Sequence, residues 1–413
     1  MTYARVTIDD ATSLIIDHRG KTPKKLGAEW TTAGHRVISA LNIKGSRIDE
    51  NDHHYVDSRT YANWMKVPLA AGDTLLTSEA PLGEVAYLQH DVDWVLGQRL
   101  YALRTKPSLA VGRFLFYALQ SPLVRNDLEA RATGTTVFGI SQVELRKVQI
   151  PCPPIAEQRR IAEMLGALDD KIESNRQICS LINLLSEELF CSRFRLRKDC
   201  TTKGILTIGD LGEIVGGGTP SKKVEEYYVD SGIAWLTPKD LARDSSTFRH
   251  HGAIDISELG LRKSSARSLP RGTVLFTSRA PIGYIAIASG ETSTNQGFKS
   301  IVPHPEFGTA FTFYLLKQLT PEIVSSANGS TFKEISKGGL ASISFDAPDR
   351  ASVREFNSLV QPLLDLQEAK ESETCRLSKL RDALLPELMS GRMRVDEAGR
   401  LVTEALDEEV ADV

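Results

Sequence analysis

The chain has 413 residues, which exceeds the usual size of one domain and predicts two or more independent hydrophobic cores. Hydrophobic residues make up 41% and charged residues 25%, and no apolar run approaches the roughly 18 residues that a membrane helix needs, so we expect a cytoplasmic protein with no membrane partner. The net charge of −3 argues against a chain that is basic throughout, although it does not exclude local basic surfaces.

The sequence contains an internal repeat, which has to be recognised before any fold is assigned. Leu75–Gly83 (LLTSEAPLG) returns as Leu275–Gly283 (LFTSRAPIG), an offset of 200 residues (275 − 75). Gly134–Ser141 (GTTVFGIS) returns as Gly329–Ser336 (GSTFKEIS), an offset of 195 residues (329 − 134). Two further blocks keep the same order, Phe114–Tyr117 with Phe311–Tyr314 and Lys21–Lys24 with Gly218–Ser221. Four ordered matches indicate a tandem duplication.

Each half begins with strand signals and ends in a long helical segment. Apolar runs bounded by turn residues predict strands at 74–77, 84–88, 274–277 and 284–288, and short helices are predicted at 114–119 and 311–316. The fold class is therefore α+β, with two tandem pseudo-repeated β-rich domains separated by two long helices. The predicted boundaries are 1–153 and 199–349 for the domains, 154–198 and 350–392 for the helices, and 393–413 for a flexible acidic tail.

The two long helices carry apolar residues at alternating spacings of three and four, the pattern of a coiled coil. Pro153-Pro154 precede the first helix, Ser352 and Glu355 form a capping-box pattern at the second, and Pro386 and Gly391 predict its end. An antiparallel pair would place Ile161 opposite Leu384 and Leu189 opposite Phe356, with polar Asn175 and Lys370 meeting at the centre. The predicted pairing residues are Ile161, Leu168, Asn175, Ile182 and Leu189 in the first helix and Phe356, Leu363, Lys370, Leu377 and Leu384 in the second.

Sequence marks of catalysis and of metal binding are absent. The chain has no Asn-Pro-Pro-Tyr or Asp-Pro-Pro-Tyr motif, no Gly-x-Gly-x-x-Gly, no phosphate-binding loop with the full Gly-x-x-x-x-Gly-Lys-Ser/Thr pattern and no Gly-x-Ser-x-Gly elbow. The run from Gly216 to Lys223 indicates a glycine-rich turn. The five cysteines and the histidine pairs His53-His54 and His250-His251 lack metal-ligand spacing, which favours reduced structural thiols and loop histidines.

Several blocks of the sequence are diagnostic when taken together. They are Gly218–Pro220, Thr277–Gly283, Asn295-Gln296, Gly329–Thr331, and Ile150–Pro154 followed by Glu157-Gln158. With these blocks the chain, from about residue 5 to 392, resembles the specificity subunit of type I restriction-modification systems. The resemblance implies two target-recognition domains, each for one half of a split double-stranded DNA site, with the helices setting the gap between the halves.

The same resemblance implies that this chain has no catalytic centre and holds no cofactor. Methylation and cleavage would belong to two modification (methyltransferase) subunits and to restriction and translocase subunits, which would use S-adenosylmethionine, ATP and Mg²⁺. The sequence departs from the family pattern in places. Glu79 stands where the second copy has Arg279, Gly97–Arg99 replaces Asn295–Gly297, and Ala347–Asp349 replaces the Pro-Pro-x-x-Glu-Gln helix start.

The candidate DNA contacts lie in equivalent loops of the two copies. Side chains that can form bidentate contacts with base edges are Gln98, Arg99, Arg279, Asn295 and Gln296. Phosphate contacts are expected from Arg19, Lys21, Lys24, Lys25, Lys222, Lys223 and Lys333, and from the hydroxyls of Thr135, Thr136, Ser330 and Thr331, which could instead cap the following turn. Solvated surface charge is the alternative interpretation for each lysine.

Three other functions remain open at this stage. The first is the specificity component of another restriction class, and the second is a duplicated scaffold with no nucleic-acid partner, which the net charge permits. The third is a hydrolase with its site between the repeats, for which the sequence shows no nucleophile and base. Salt-dependent DNA binding separates the DNA-binding functions from the scaffold.

Overall fold

A computed structural model describes residues 3–49, 54–194, 204–329 and 333–411, with side chains described as far as residue 403. The chain forms two compact units. Unit 1 comprises Met1–Lys171 and Arg376–Val413, and unit 2 comprises Ile172–Cys375. Both unit boundaries fall inside the long helices, so each of these helices contributes residues to both units.

Unit 1 contains the first recognition domain, built around a four-stranded sheet in the order β2-β10-β7-β8. Its strands are β1 (Arg5–Thr7), β2 (Thr12–Asp17), β3 (His35–Ile38), β4 (Ile43–Lys44), β5 (Arg47–Ile48), β6 (His54–Val56), β7 (Thr74–Thr77), β8 (Val85–Tyr87), β9 (Val95–Leu96), β10 (Leu100–Thr105) and β11 (Gln149–Pro151). Its helices are α1 (Ile8–Ala11), α2 (Ser58–Trp64), α3 (Gly112–Gln120), α4 (Pro122–Ala130) and α5 (Gln142–Leu145), and the long helix α6 (Ile155–Arg193) follows.

Unit 2 repeats this plan around a five-stranded sheet in the order β13-β21-β18-β19-β16. Its strands are β12 (Ile205–Thr207), β13 (Gly212–Gly216), β14 (Tyr228–Val229), β15 (Ala234–Leu236), β16 (Phe248–Arg249), β17 (Asp255–Ile256), β18 (Val274–Ser278), β19 (Ile282–Ala288), β20 (Thr292–Thr294), β21 (Lys299–Pro303) and β22 (Ser344–Asp346). Its helices are α7 (Pro238–Arg243), α8 (Glu258–Arg262), α9 (Gly308–Ser325) and α10 (Lys337–Ala341), followed by α11 (Arg350–Ser390) and, in unit 1, α12 (Val395–Ala411).

The predicted strands and the duplication are confirmed in detail. Strands β7 and β18 are buried at every position, which explains their continuous apolar runs. Thr77 Oγ1 donates to the Pro81 carbonyl and accepts from the Glu84 N–H, at 2.5 and 2.8 Å. Thr277 makes the same two bonds with Pro281 and Tyr284, at 2.9 and 2.8 Å. The repeated sequence blocks therefore fold into repeated local structure.

The long helices pair in antiparallel fashion within each unit. In unit 1 the Arg381 guanidinium of α11 lies 2.7 Å from the Asp169 carboxylate of α6. In unit 2 the rings of Phe190 and Phe356 have centroids 5.5 Å apart. Early residues of α6 thus meet late residues of α11 and late residues meet early ones, as the sequence pattern predicts.

Several predicted seam positions need correction. Phe190 and Leu364 are fully buried, whereas the neighbouring predicted residues Leu189 and Leu363 are only partly buried. The prediction spaced the seam residues as in a coiled coil, with about 3.5 residues per turn. A straight α-helix has about 3.6 residues per turn, so its buried face drifts by about 20° per heptad from that spacing. Over the four heptads from Ile161 the drift is nearly one residue, which moves the buried position from Leu189 to Phe190. The other predicted seam residues, Leu168, Ile182, Leu377 and Leu384, are buried.

The polar centre of the helices is partly as predicted. Asn175 is completely buried, and its amide forms no hydrogen bond with Lys370 or with any other described residue. The Lys370 ammonium pairs with Glu373 of its own helix at 2.7 Å. The meeting of Asn175 and Lys370 at the centre of the pair stays a prediction.

The ends of α11 and the C-terminal segment differ from expectation as well. The cap of α11 is Asp349, whose carboxylate accepts from the Ser352 N–H at 2.9 Å, and not Ser352 itself. Helix α11 continues through Pro386 to Ser390, and Gly391 ends it with a φ of 72°. The predicted flexible tail is helical over Val395–Ala411, because Val395 and Ala398 form a buried face among its acidic residues.

Buried polar side chains fasten each recognition domain to a long helix. In unit 1 the Gln158 amide of α6 accepts from the Val111 N–H at 3.0 Å and donates to the carbonyls of Leu109 and Pro153 at 3.0 and 2.9 Å. In unit 2 the Glu371 carboxylate of α11 accepts from the N–H groups of Thr247 and Phe248 at 2.9 and 2.8 Å. Burial raises the pKa of Glu371. These contacts fix the orientation of each domain on its helix.

We predict that Phe356→Ala lowers the free energy of unfolding by about 3–5 kcal/mol, because it leaves a cavity among Phe190, Phe194 and Tyr314. Leu185→Ala is the matched control, since Leu185 lies on α6 with 51% of its surface exposed. This substitution should change the free energy of unfolding by less than about 0.5 kcal/mol. Chemical denaturation of the full chain measures both values. Equal losses in the two variants would contradict the buried helix contact.

Candidate nucleic-acid interface

Strand directions gather four segments of unit 1 at one end of its sheet. Strand β10 is antiparallel to both β2 and β7, with Tyr101 opposite Asp17 and Leu100 opposite Thr77. The segments that follow β2 and β7 and the segment that precedes β10 therefore emerge at the same end. A hairpin at 133–139 joins them through a bridge between Glu79 and Gly139 and a bond from the Ile140 N–H to the Ser78 carbonyl, at 2.9 Å.

Unit 2 builds the same arrangement from its own residues. Gly216, at the end of β13, lies opposite Lys299, at the start of β21, and β18 ends nearby at Ser278. The equivalent segment, described at residues 328–329 and 333–334, joins through a bridge between Arg279 and Glu334. We name these segments the loop edge of each unit: 17–25, 78–81, 97–99 and 133–139 in unit 1, and 216–223, 278–281, 295–299, 328–329 and 333–334 in unit 2. Basic side chains outnumber carboxylates in both loop edges.

Arg19 is held firmly in the first loop edge. Its guanidinium bonds to the Asp17 carboxylate at 2.8 to 3.1 Å, lies 4.5 Å from the centroid of the Tyr101 ring and donates to the Ile140 carbonyl at 3.2 Å. Hydrogen bonding to Asp17 raises the pKa of Arg19. Burial raises the pKa of Tyr101, whose hydroxyl donates to the same Ile140 carbonyl at 2.9 Å. The Arg19 guanidinium is therefore held in a fixed position next to the hairpin, with its charge paired to Asp17.

Each loop edge also contains an arginine paired with a glutamate. Arg99 Nε lies 3.0 Å from Glu79 Oε1, and Arg99 adopts the left-handed region with a φ of 62°. In unit 2, Arg279 and Lys299 lie 3.4 and 3.9 Å from the Glu334 carboxylate. Burial lowers the pKa of Lys299. Arg279 and Glu334 border a cavity of about 640 Å³.

The predicted phosphate-binding lysines fall into two groups. Lys24, Lys25, Lys222, Lys223 and Lys333 are exposed, as a phosphate contact requires. Lys21 instead donates from Nζ to the Trp64 carbonyl at 3.2 Å, which ties the turn to the end of α2. The Thr135 and Thr136 hydroxyls are exposed in the first hairpin, and Ser330 and Thr331 lie outside the described residues. Their role in phosphate binding stays a prediction.

The predicted base-edge amides differ in their surroundings. Gln98 and Gln296 are exposed on the loop edges. The Thr219 hydroxyl donates to the Gln296 side chain, so the Gly-Thr-Pro turn and this glutamine are in direct contact. Asn295 is only partly exposed, and its Oδ1 accepts from the Gly297 N–H at 2.8 Å. Asn295 thus shapes the loop that presents Gln296.

The glycine run of unit 2 is required by close packing of the backbone. A Cβ at Gly217 would lie 2.0 Å from the Asn295 carbonyl oxygen, and one at Gly218 would lie 2.3 Å from the Ser265 backbone. The Trp235 indole donates to the Gly218 carbonyl at 3.0 Å. These contacts agree with the interpretation of this run as a turn.

Sequence reasoning missed several residues of the loop edges. Tyr101 supports Arg19, and Lys299 and Glu334 face Arg279. Tyr101 and Lys299 belong to no recognisable motif, and nothing within the repeated block Gly329–Ser336 distinguishes Glu334 as a site residue. Phe138 is 61% exposed at the hairpin tip beside Val137 at 49%. These residues are recognised as part of the loop edges only when the pairing of the strands is known.

The described residues outside the loop edges offer few reactive groups. Burial raises the pKa of the Cys152, Cys179 and Cys191 thiols, that of Cys179 to about 11, which disfavours thiolates. His54 packs against Trp30, His251 bonds to Asp255 at 2.7 Å, and His53 lies outside the described residues. Within the described ranges, no cluster of His, Cys, Asp and Glu could hold a metal ion, and no helix is long and apolar enough to cross a membrane.

Comparison with known proteins gives consistent matches. A family model described as the type I restriction modification DNA specificity domain matches residues 6–184 and 202–353. The type I restriction enzyme MjaIX specificity subunit of Methanocaldococcus jannaschii is 37% identical over 175 residues, which are 42% of this chain and 40% of that protein. The HindI specificity subunit of Haemophilus influenzae is 21% identical over 406 residues, 79% of this chain and 88% of that protein. The crystal structure of a type I restriction-modification S subunit from M. genitalium shares this fold, with a TM-score of 0.62 at 18% identity over 94% of this chain and 96% of that one.

We predict that Gly217→Ala destabilises unit 2 by at least about 2 kcal/mol, because the new Cβ would overlap the Asn295 carbonyl and force the loop edge apart. Gly216→Ala is the control, since the nearest atom to its Cβ is 4.0 Å away. Thermal unfolding of both variants tests the difference. A Gly217→Ala protein as stable as the Gly216→Ala protein would mean that the loop does not pack as described.

Proposed function

The chain belongs to the type I restriction modification DNA specificity family, and from this premise we propose that it recognises a bipartite, asymmetric DNA site for a restriction-modification complex. The observation that carries the proposal is the pair of loop edges, which share one backbone plan but present different side chains. Different side chains at equivalent positions favour different base sequences in the two halves of the site.

The chemistry of the loop edges supports DNA as the ligand. Exposed lysines suit phosphate contacts, which position a protein on the duplex without reading its sequence. Arginine and glutamine side chains at the centre of each edge can donate to or accept from base edges in the major groove. The net charge of −3 is no obstacle, because most carboxylates lie outside the loop edges, including those of the C-terminal helix.

The two long helices are proposed to set the gap between the half-sites. Helix α6 has 39 residues and α11 has 41, so each is about 60 Å long at 1.5 Å per residue. Half-sites one turn of DNA apart, roughly 34 Å, are within the reach of helices of this length. Gln158 and Glu371 fix each recognition domain on a helix, as a defined gap requires.

Exposed leucines on the helices are proposed to bind the modification subunits. On the part of α6 in unit 2, Leu181 and Leu184 are 65% and 66% exposed, and Leu185 is 51% exposed. On α11, Leu359 and Leu366 are 46% and 44% exposed. Such apolar helix surfaces indicate a protein partner. Methyl transfer from S-adenosylmethionine and ATP- and Mg²⁺-dependent cleavage are assigned to partner subunits, and this chain is proposed to be non-catalytic.

We predict that the chain, coexpressed with the modification subunits of its own system, directs adenine methylation to one split motif. Replacing residues 1–153 by the equivalent segment of a relative should change one half of that motif and leave the other half unchanged. Single-molecule sequencing of the host DNA reads the methylated sites directly. The purified complex should also bind duplex DNA with a steep salt dependence.

A stable complex that neither methylates a motif nor binds DNA would overturn the proposed function and leave a scaffold. A motif in which both halves change after the exchange would contradict one domain per half-site.

We predict that Leu184→Glu weakens association with the modification subunits at least about tenfold, because a carboxylate would be buried in an apolar contact. Val143→Glu is the control, since Val143 is 65% exposed on α5 of unit 1 and is not part of a long helix. Copurification and sedimentation analysis measure the association. Equal binding by the two variants would move the partner surface elsewhere.

A further inference from the structure

In both loop edges one carboxylate stands next to two cations. Glu79 pairs with Arg99 at 3.0 Å, and its charge also acts on Arg19. Glu334 lies 3.4 Å from Arg279 and 3.9 Å from Lys299. All four side chains of the two ion pairs with arginine keep 38% to 49% of their surface exposed, so the pairs face solvent at the place where DNA is proposed to bind.

The two units build this pair from different positions. The first hairpin bridges the turn after β7 through Glu79 and Gly139, and the second bridges the turn after β18 through Arg279 and Glu334. Gly139 therefore corresponds to Glu334, and Glu79 corresponds to Arg279. In unit 1 the absence of a side chain at Gly139 leaves room for Glu79, whose Oε2 would lie 3.2 Å from a Cβ there. Arg99 then supplies the cation from the loop before β10.

Each loop edge therefore has a carboxylate next to an arginine, although the positions that supply the two side chains differ between the units. Stability does not explain it, because an exposed ion pair contributes about 0–1 kcal/mol. A nucleic-acid surface has no obvious use for a negative charge at its centre, since every such charge repels phosphate. The carboxylates therefore call for a role in selecting the ligand.

We propose that Glu79 and Glu334 are specificity-determining residues, which keep the adjacent arginines from binding phosphate without regard to sequence. This inference rests on the proposed function. A phosphate that approaches Arg99 or Arg279 meets the carboxylate at the same time and is repelled. A base edge carries no net charge, so the carboxylate does not repel it. A guanidinium has five N–H donors, and when one of them bonds to the glutamate the others remain available to a guanine.

The carboxylates can also act directly on a matching base pair. A glutamate oxygen accepts a hydrogen bond from the cytosine amino group, and an arginine donates to guanine O6 and N7. A half-site with a G·C pair at this point would satisfy both members of the pair, whereas a phosphate would satisfy only the arginine. The geometry thus favours discrimination over tight general binding.

The test compares Glu79→Gln and Glu334→Gln with Glu129→Gln in the full chain copurified with the modification subunits. Glu129 is exposed on α4 of unit 1, so its variant removes the same charge at a position outside the loop edge and leaves the Arg99–Glu79 pair intact. Affinity is measured by fluorescence anisotropy for a duplex with the methylated motif and for one without it, across a range of salt concentrations. Thermal unfolding checks that the variants are folded.

We expect Glu79→Gln to bind the duplex without the motif up to about fivefold more tightly, the effect of one exposed charge pair. Its slope of log K against log salt should steepen by about one, as one added phosphate contact requires. Methylation should spread to sites altered in the first half of the motif for Glu79→Gln and in the second half for Glu334→Gln.

Equal behaviour of Glu79→Gln and Glu129→Gln on both duplexes, with an unchanged motif, would overturn the inference while leaving the proposed function in place. A wild-type complex without any motif would overturn the proposed function and this inference with it.

Discussion

The antiparallel pairing of one central strand is the constraint on which the loop edges depend. Because β10 runs opposite to both β2 and β7, the ends of those two strands and the start of β10 meet at one end of the sheet. Strand β21 has the same place between β13 and β18. Residues about 80 positions apart along the chain, such as Arg19 and Arg99, reach one surface only through this pairing.

Polar contacts with little exposure to solvent fix the orientation of each recognition domain on a long helix. Gln158 is 1% exposed and saturates three backbone groups of the first domain, so rotating the domain on α6 would leave buried groups without partners. Glu371 has the same effect on β16 of the second domain, although it comes from the other helix and from a different position. The duplication preserved the fastening of domain to helix but not the residues that form it.

The Arg–Glu pairs of the loop edges follow the same rule. The two copies share the backbone bridges, whereas the glutamate and the arginine come from different positions and still place opposite charges in contact. Unit 1 has Glu79 where unit 2 has the motif residue Arg279. Arg99 supplies the arginine in unit 1, and Gly139, which has no side chain, leaves room for Glu79. Recognition surfaces can therefore diverge between copies without disturbing the sheet below them.

The sequence by itself determined the duplication, the strands of the main sheets, the two long helices and their antiparallel order, because these follow from local periodicity and from repeated motifs. It failed where a single residue of drift decides burial, as at Leu189 and Phe190, and where sparse apolar residues form a hidden face, as in α12. Only the tertiary structure decided that Lys21 and Asn295 hold loops, that Lys370 pairs with Glu373, and that Glu79 and Glu334 sit beside arginines. Those outcomes depend on contacts between distant segments, which no local pattern encodes.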